Sequence, residues 1–528
     1  MSYSKTPFFG TLRKALAMAF VAEENQLTAE EVIQREEEAR LSRRKFLENS
    51  GKAALGLGLA AALPNSVLAN AVAKPKVTIV GAGMAGLNAM HTLKKAGYEV
   101  KLYEASKRTS GRIMSVQGAM GEGTWAEFGA EFIDTNHADM WTLAKEFNLD
   151  LIDYAQESEA KLTAEAFYFE GRHRSLVEVV TEFRKFAPQM KKDMDSLPET
   201  IDYQTKDPIA VKFDNMSLSD YLTSIGATGW IKRFIEVAYE SEYGRAATEQ
   251  SSLNLLLLIS PDTESGHIDL FGESDERYKT RGGNQSIPDA LGKKYADSIE
   301  FGCKLVQIQK VGRFYGLNFL RDGKAMNALT EVLILAIPFT TLRNVTINVP
   351  MPQEKLDCIN KLSYGLNSKL MIGMKSHFWR KQGFGGLVYA DNGVPNGWDN
   401  AQLQTGEDQA AGLSILFGGA EGMYVGRGTV ESQRDKYLPL WEQIYKGATE
   451  QHNGKVARMV WPTNPYSIGS YICYTKGQYT TLSGLEATPV DNIFFAGEHC
   501  GGEFAGFMNG AAKSGREAAE LIIEKFKV

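Results

Sequence analysis

The chain has 528 residues, too many for a single hydrophobic core, so two or more domains are expected. Its 58 basic and 64 acidic side chains give a net charge of −6, which provides no global basic field for nucleic acid. The cysteines form no C-x-x-C pair and the histidines form no H-E-x-x-H, so no metal site is predicted. Free thiols are expected at Cys303, Cys358, Cys473 and Cys500.

Residues 1–73 are predicted to be a leader segment. Arg43 and Arg44 lie in S-R-R-K-F-L (42–47), which resembles a twin-arginine export signal. The apolar stretch that follows (53–63) is too short to span a bilayer as a helix, and A-N-A (69–71) matches a cleavage site. Because this route carries folded proteins, the pattern predicts a periplasmic protein that is loaded with its cofactor before export. Cleavage and an uncleaved anchor both remain open.

The segment before the arginine pair is unusually long for a leader. An amphipathic stretch (8–20) comes first, and Thr28-x-x-Glu31 then predicts a capping box that opens a second, acidic helix. The alternative is therefore an N-terminal helical segment of a cytoplasmic protein, in which the Arg-Arg pair arises by chance.

A dinucleotide-binding pattern begins after Lys76, where V-T-I-V (77–80) is suited to a buried parallel strand. In the G-x-G-x-x-G that follows, Gly81 permits a tight turn, Gly83 lets the backbone approach a diphosphate, and Gly86 lets the helix pack on the sheet. Glu104 ends the next apolar run and can accept hydrogen bonds from an adenosine ribose, which disfavours NADP. The predicted cofactor contacts here are Gly81, Ala82, Gly83, Met84, Ala85, Gly86, Glu104 and Ala105.

Later motifs indicate that the dinucleotide is FAD. R-T-S-G-R (108–112) resembles the R-x-G-G-R of two-domain flavoproteins, and W-A-E-F-G-A-E-F-I-D (125–134) resembles a stretch of the flavin-containing amine oxidases. N-I-F-F-A-G-E-H-C (492–500), with a helix predicted from Met508, closely resembles the second FAD motif of that family. The resemblance implies further FAD contacts from Arg112, Gly129, Ala130, Glu131, Val306, Gly497, Glu498 and Met508.

The predicted fold class is α/β, with a Rossmann-like FAD-binding domain and a smaller substrate domain of mixed sheet and helices. The FAD-binding domain is predicted to be discontinuous, with segments 74–150, 272–345 and 462–528. These segments hold both FAD motifs and the family matches G-G-N-Q-S-I (282–287) and A-I-P (336–338). Residues 151–271 and 346–461 are assigned to the substrate domain.

Three residues are predicted to act on an amine. Y-G-L-N-S-K (364–369) resembles the family's Y-G-x-x-x-K, which implies that Lys369 lies beyond the flavin N5 and holds a water. Tyr471 and Phe507 match two aromatic positions that face each other across the substrate and leave a slot for a neutral amine. Ser470 stands where mitochondrial monoamine oxidases have the cysteine that bonds the flavin, so the FAD is expected to be non-covalent.

The substrate prediction depends on Phe132. Amino-acid oxidases of the family usually have an arginine in its place, which grips the substrate carboxylate. An amine without an α-carboxylate is therefore favoured, although Arg233 or Arg245 could replace this clamp, which keeps L-amino acid oxidation as the alternative. Asp134 could attract a remote ammonium, but the stronger expectation is that it caps the helix that follows.

The expected reaction passes a hydride from the amine to flavin N5, and water then hydrolyses the imine to an aldehyde or ketone. Dioxygen is the expected acceptor, which gives hydrogen peroxide, whereas a cytochrome or quinone acceptor would make the protein a dehydrogenase. Polyene desaturases and isomerases share the FAD motifs but lack the lysine and the aromatic pair. A scaffold that merely holds FAD is the non-enzymatic alternative. A homodimer is common in the family.

Overall fold

The computed structural model describes Met18, Ala19, Ala22 and residues 27–34, 74–258 and 275–527. The predicted export motif (42–47), apolar stretch (53–63) and cleavage site (69–71) lie outside these residues. Within them, no helix is long and apolar enough to cross a membrane, and no group of His, Cys, Asp and Glu is arranged to hold a metal ion. All four cysteines are buried and free, as predicted.

The FAD-binding half is built on a parallel sheet of five strands. In spatial order these are Ile493–Phe495, Val332–Leu335, Val77–Val80, Val100–Tyr103 and Ile299–Glu300. All five lie within the segments predicted for the FAD-binding domain. Because parallel strands end at one edge of the sheet, Gly81, Glu104, Ala336 and Gly497 come together at that edge from four parts of the chain.

Two helices start at this edge and pack on each other, Met84–Lys95 and Met508–Lys525. Their contact is close because Gly515 has no side chain: a Cβ there would lie 2.1 Å from the carbonyl oxygen of Ala85. The Asn88 amide donates to the carbonyl of Ala512 at 2.8 Å across the same contact. The helix predicted from Met508 is therefore confirmed.

The substrate half contains a seven-stranded mixed sheet. In spatial order its strands are His452–Val460, Ser368–Met374, Ala411–Phe417, Asn396–Asp399, Phe384–Ala390, Thr163–Phe169 and Arg172–Arg174. All seven lie within the segments predicted for the substrate domain. The strand Ser368–Met374 has a neighbour on each side and is buried along its whole length, and it carries Lys369.

A third sheet packs beside the parallel one, sharing its core. Its four strands are Lys324–Thr330, Phe314–Arg321, Cys303–Val311 and Thr346–Asn348. Two short ladders pair Ser115–Gln117 with Trp125–Glu127 and Leu151–Asp153 with Tyr278–Thr280.

The remaining helices surround the sheets. In the segments of the FAD-binding half they are Ala138–Glu146, Ser286–Lys294, Phe339–Leu342 and Tyr479–Leu482. In the segments of the substrate half they are Leu176–Phe183, Ala187–Asp195, Pro208–Asn215, Leu218–Ser224, Gly229–Tyr243, Leu253–Leu256, Gln353–Lys361, Gly419–Tyr424, Val430–Ile444 and Ala448–Gln451.

A short N-terminal stretch packs into the core of the substrate half. Five of its side chains are buried in one cluster with the helix Gly229–Tyr243: Met18, Ala19, Ala22, Ala29 and Val32. The predicted capping box is confirmed, because the Thr28 N–H donates to Glu31 Oε2 at 2.8 Å and the Glu31 N–H donates to Thr28 Oγ1 at 3.2 Å. Cleavage at 69–71 would leave this stretch held to the domain by non-covalent contacts alone.

The prediction that Asp134 caps the next helix is wrong. That helix begins at Ala138, after His137, and has no side-chain cap of its own. Two of its first N–H groups donate instead to the side-chain oxygen of Asn509, at 3.1 and 3.2 Å. The buried Asp134 carboxylate accepts the backbone N–H of Glu276 at 3.0 Å. A residue distant in sequence thus supplies the cap, which frees Asp134 for another contact.

Candidate active site

A central cavity of about 960 Å³ extends from the carboxyl edge of the parallel sheet to the seven-stranded sheet. Both FAD motifs and the predicted catalytic residues line it. The predicted site residues on its wall are Gly81, Gly83, Met84, Ala85, Glu104, Ala105, Arg112, Gly129, Ala130, Glu131, Lys369, Tyr471, Gly497, Glu498, Phe507 and Met508.

Three predicted cofactor contacts, Ala82, Gly86 and Val306, are not among the described residues that line the central cavity. A Cβ on Gly86 would lie 1.9 Å from the carbonyl oxygen of Gly81, so this glycine serves the close packing of the turn. Val306 lies where the pairing of its strand shifts register, and Leu305 lines the cavity in its place.

The glycine turn presents its backbone and a carboxylate to the central cavity. Gly81 has a φ of +108°, which favours glycine, and a Cβ on Gly83 would meet nothing within 4 Å. Glu104 is fixed at the end of its strand, because its carboxylate accepts the N–H groups of Ala82 at 2.8 Å and Ser106 at 2.7 Å. This open glycine, the helix N-terminus after it and the fixed carboxylate fit the diphosphate and ribose of FAD.

Arg112 joins the two FAD motifs. Its guanidinium donates to Glu498 Oε1 at 2.8 Å and to the carbonyl of Ser470 at 2.5 Å. The other oxygen of Glu498 accepts the N–H of Ile472 at 3.3 Å, and the Ser470 hydroxyl donates to Asn367 at 2.6 Å. These bonds tie three distant segments of the chain together around the central cavity.

Lys369 reaches the central cavity from the seven-stranded sheet and is 5% exposed. Its ammonium donates to the carbonyl oxygens of Glu127 at 3.0 Å and Gly129 at 2.7 Å, and to the carboxylate of Glu131. An ammonium has three N–H donors, so all of them are used. The predicted water on Lys369 would have to displace one of these bonds.

The Glu131 carboxylate bonds a second ammonium, that of Lys279. Burial alone would raise the pKa of Glu131, but the two lysines outweigh burial and lower it. Burial lowers the pKa of Lys369 despite the attraction of Glu131. Burial also lowers the pKa of Lys279, but the attraction of Glu131 is larger and the net effect is a raised pKa. Lys369, on the cavity wall, is therefore the ammonium that releases its proton more easily.

The predicted aromatic pair lies on the wall of the same cavity. The Tyr471 hydroxyl donates to the carbonyl of Glu242 at 2.7 Å, which fixes its ring, and burial raises the pKa of this hydroxyl well above its ordinary value. The ring of Phe507 packs edge-on against His137, with centroids 5.0 Å apart. Both side chains are therefore fixed by contacts with other residues of the chain.

Two tryptophans also line the central cavity, and the sequence did not mark them. The Trp398 ring centroid lies 5.1 Å from the Lys369 ammonium, and the Trp461 indole donates to the carbonyl of Phe128 at 2.9 Å. Trp398 belongs to a segment that the family motifs do not cover, so no local signal could have found it.

Among the described residues, no arginine outside the FAD motif lines the central cavity. Phe132 lines the central cavity, and the two described arginines that line it, Arg108 and Arg112, both belong to the FAD motif. The prediction that Arg233 or Arg245 could supply the clamp is wrong, because neither is among the described residues of the cavity wall. Arg233 is half exposed and pairs with a neighbour on its own helix, Glu240.

Glu276 lines the central cavity as well and was not predicted. It is 7% exposed, and neither of its carboxylate oxygens has a hydrogen-bond partner among the described residues. Burial raises its pKa well above the ordinary value, and the carboxylates of Asp134 and Glu242 add to this effect. The residue precedes the G-G match at 282–283 by six positions, in a stretch to which no role was assigned.

Comparison with known proteins decides the family. A family model described as flavin containing amine oxidoreductase matches residues 84–523. The chain belongs to this family. It is therefore an oxidoreductase that acts on amines and binds FAD without a covalent bond, as predicted. The open glycine turn agrees with FAD binding, and the serine at position 470 agrees with the absence of a covalent bond.

Similar proteins are described either as L-amino-acid oxidases or as oxidases of amines. The L-amino-acid oxidases of Demansia vestigiata and Cerastes cerastes are each 24% identical to it, over 85% of this chain and 86% of theirs. Among solved structures, cyclohexylamine oxidase from Brevibacterium oxydans IH-35A has a TM-score of 0.73 at 18% identity, covering 86% of this chain and 100% of that one. A putrescine oxidase bound to putrescine has a TM-score of 0.71 at 19% identity, covering 85% and 99%. The predicted α/β two-domain fold is thereby confirmed.

Proposed function

We propose that this amine oxidoreductase oxidises a primary or secondary amine that has no α-carboxylate. The product is an imine, which water hydrolyses to an aldehyde or ketone. The observation that carries the proposal is that Lys369, Tyr471 and Phe507 share one cavity with both FAD motifs, while Phe132 stands where a carboxylate clamp would be needed.

The residues assigned to FAD divide along the cavity. Gly83 and the helix after it would receive the diphosphate, Glu104 would receive the adenosine ribose, and Arg112 with Glu498 would hold the middle of the cofactor. The N-terminus of the helix that starts at Met508 would stabilise negative charge at the flavin. When bound, FAD supplies the acceptor for the hydride that leaves the substrate carbon.

The chain itself binds and orients the amine. In the proposed reaction Tyr471 and Phe507, each fixed by its own contact, lie on either side of the amine and align its C–H bond for transfer. Trp398 and Trp461 add apolar ring surface to the cavity wall. Lys369 keeps a buried positive charge at the site, where it is paired with Glu131.

Dioxygen is proposed as the final acceptor, giving hydrogen peroxide. A cytochrome or quinone acceptor is the alternative, and such a protein would be an amine dehydrogenase. L-Amino acid oxidation is the second candidate, favoured by the names of the relatives at 24% identity. Against it, the two described arginines on the cavity wall both belong to the FAD motif.

Anaerobic reduction of the bound flavin tests the proposal. The purified yellow protein is mixed without oxygen with a panel of monoamines, diamines and L-amino acids, and the loss of flavin absorbance is followed. We expect amines to bleach the flavin and α-amino acids to leave it oxidised, with peroxide formed when air is admitted. Bleaching by amino acids alone would overturn the substrate assignment, and peroxide-free reoxidation by a quinone would favour the dehydrogenase.

Export through the twin-arginine pair is proposed separately. The resemblance of residues 42–47 to an export signal supports it, and the buried stretch ahead of that motif favours retention of the N-terminal segment in the mature protein. Cell fractionation of the native chain and of an R43K/R44K variant tests the export. An unchanged location of the double variant would support the cytoplasmic alternative.

A homodimer is proposed from the family alone, and light scattering of the holoenzyme tests it.

A further inference from the structure

His137 contacts a predicted catalytic ring from outside the central cavity. Its side chain is fully buried and is not among the described residues of the cavity wall. The imidazole packs edge-on against Phe507, which does line the cavity, with centroids 5.0 Å apart and ring planes at 67°. His137 is therefore placed to influence a bound substrate through Phe507 rather than by direct contact.

The orientation of the imidazole is fixed by a hydrogen bond. The backbone N–H of Asp134 donates to Nδ1 at 2.9 Å, so the proton of the neutral ring is on Nε2. Burial lowers the pKa of His137 to about 3, and the ring is therefore uncharged at neutral pH. A second ring, that of Phe504, packs edge-on against the imidazole with centroids 5.4 Å apart. One hydrogen bond and two ring contacts thus hold the imidazole in place.

The backbones that carry the two rings are also fixed to each other. His137 is the residue before the helix Ala138–Glu146, and Phe507 is the residue before the helix Met508–Lys525. The side-chain oxygen of Asn509 accepts two N–H groups of the first helix, at 3.1 and 3.2 Å. Because the N-termini of the two helices are bonded in this way, the distance between the imidazole and the Phe507 ring is set by the fold.

Phe507 depends on packing for its orientation, unlike Tyr471. The Tyr471 ring is fixed by its hydroxyl, which donates to the carbonyl of Glu242 at 2.7 Å. Phenylalanine has no polar side-chain atom, so the rotation of its ring about the two side-chain bonds is restricted only by neighbouring atoms. The imidazole supplies such a restraint from a residue whose own position is fixed.

We propose that His137 is a positioning residue that holds the Phe507 ring in the orientation that aligns the amine. This inference rests on the proposed function, in which Phe507 and Tyr471 lie on either side of the substrate. It adds a residue that acts on the reaction without lining the cavity.

Two substitutions separate the ring contact of His137 from its hydrogen bond. In H137N the side-chain oxygen can still accept the Asp134 N–H, but no ring reaches Phe507. In H137F a ring remains beside Phe507, but the acceptor is lost. The holoenzymes are compared by their FAD content, their melting temperature and the limiting rate of anaerobic flavin reduction, measured with the amine of the panel that reduces the native flavin fastest.

The rate of flavin reduction should follow the ring contact and not the melting temperature. We expect H137N to retain FAD and to reduce it about tenfold more slowly or worse, because the amine is less well aligned. H137F should melt at a lower temperature, since the buried Asp134 N–H loses its acceptor, yet its rate should stay within about threefold of the native rate.

A double variant tests whether His137 acts through Phe507. F507L removes the ring that is to be positioned, so H137N should slow F507L by no more than about twofold. If the two substitutions instead multiply their effects, the residues act independently and the inference is overturned.

The remaining outcomes are distinguishable. A native rate in H137N would overturn the positioning role, and so would a slow H137F that melts like the native protein, because the hydrogen bond would then matter and the ring would not. In either case amine oxidation itself would stand. If no amine of the panel reduces the native flavin, the proposed function fails first.

Discussion

Arg112 Nη1 and Glu498 Oε1 lie 2.8 Å apart, although 386 positions separate the two residues in the chain. This ion pair joins the first and second FAD motifs and is largely buried, with side-chain exposures of 22% and 7%. It joins two segments that both line the central cavity.

Replacing Arg112 with methionine should leave the Glu498 carboxylate buried without its cation. We expect the free energy of unfolding to fall by about 3 kcal/mol and FAD to bind more weakly. The double variant R112M/E498Q should lose less than the sum of the single variants, because no uncompensated charge remains. Thermal melting of the apoprotein and titration with FAD measure both effects, and strict additivity would show that the two residues act independently.

Substitution by alanine should have different effects at Gly83 and at Gly86. A Cβ at Gly83 meets no protein atom within 4 Å, so G83A should fold normally but lose FAD, because the added methyl group blocks the approach of the diphosphate. A Cβ at Gly86 would lie 1.9 Å from a backbone carbonyl oxygen, so G86A should destabilise the fold itself. Circular dichroism melting and the FAD retained on gel filtration separate the two, and full FAD occupancy in G83A would contradict the assignment.

Lys369→Met should slow substrate oxidation or flavin reoxidation at least about tenfold while FAD stays bound, because a buried positive charge beside the reaction site is lost. Lys279→Met is the matched control: it removes the other ammonium from Glu131 but does not alter a described residue of the cavity wall. Stopped-flow measurement of each half-reaction gives the result. Unchanged rates of both half-reactions in the Lys369 variant would remove that residue from the mechanism.

Glu127 should make stability depend on pH. Burial raises its pKa from 4.5 to about 7, and Glu131 adds to the shift. Between these values the folded protein holds a proton that the unfolded chain has released, so stability falls as the pH rises from 4.5 to 7, by about 3 kcal/mol in total. E127Q should remove this loss, because the uncharged amide can accept the Asn284 N–H with its oxygen and donate its own N–H to the Ser115 hydroxyl oxygen.

Melting of the native protein and of E127Q at a series of pH values checks this. The advantage of the variant should be absent below pH 4.5, grow towards pH 7 and then level off. A constant difference between the two proteins across the series would show that Glu127 does not titrate in this range.

The cofactor motifs and the family could be recognised from short stretches of sequence. The glycine turn, the acid at Glu104 and the second motif around Glu498 are short local patterns, because a diphosphate is bound by a turn and a helix N-terminus that adjacent residues provide. The capping box at Thr28 and Glu31 is equally local, and it is confirmed. The parallel strands could be recognised as continuous apolar runs.

The residues at the substrate end of the cavity could be identified only in the folded chain. Asp134 was expected to cap a helix, but Asn509 satisfies that helix from the other end of the chain and leaves Asp134 to the N–H of Glu276. Trp398 and Glu276 reach the cavity from segments without a family motif. Which side chains face a substrate depends on how distant strands and loops pack together, and no short pattern encodes that packing.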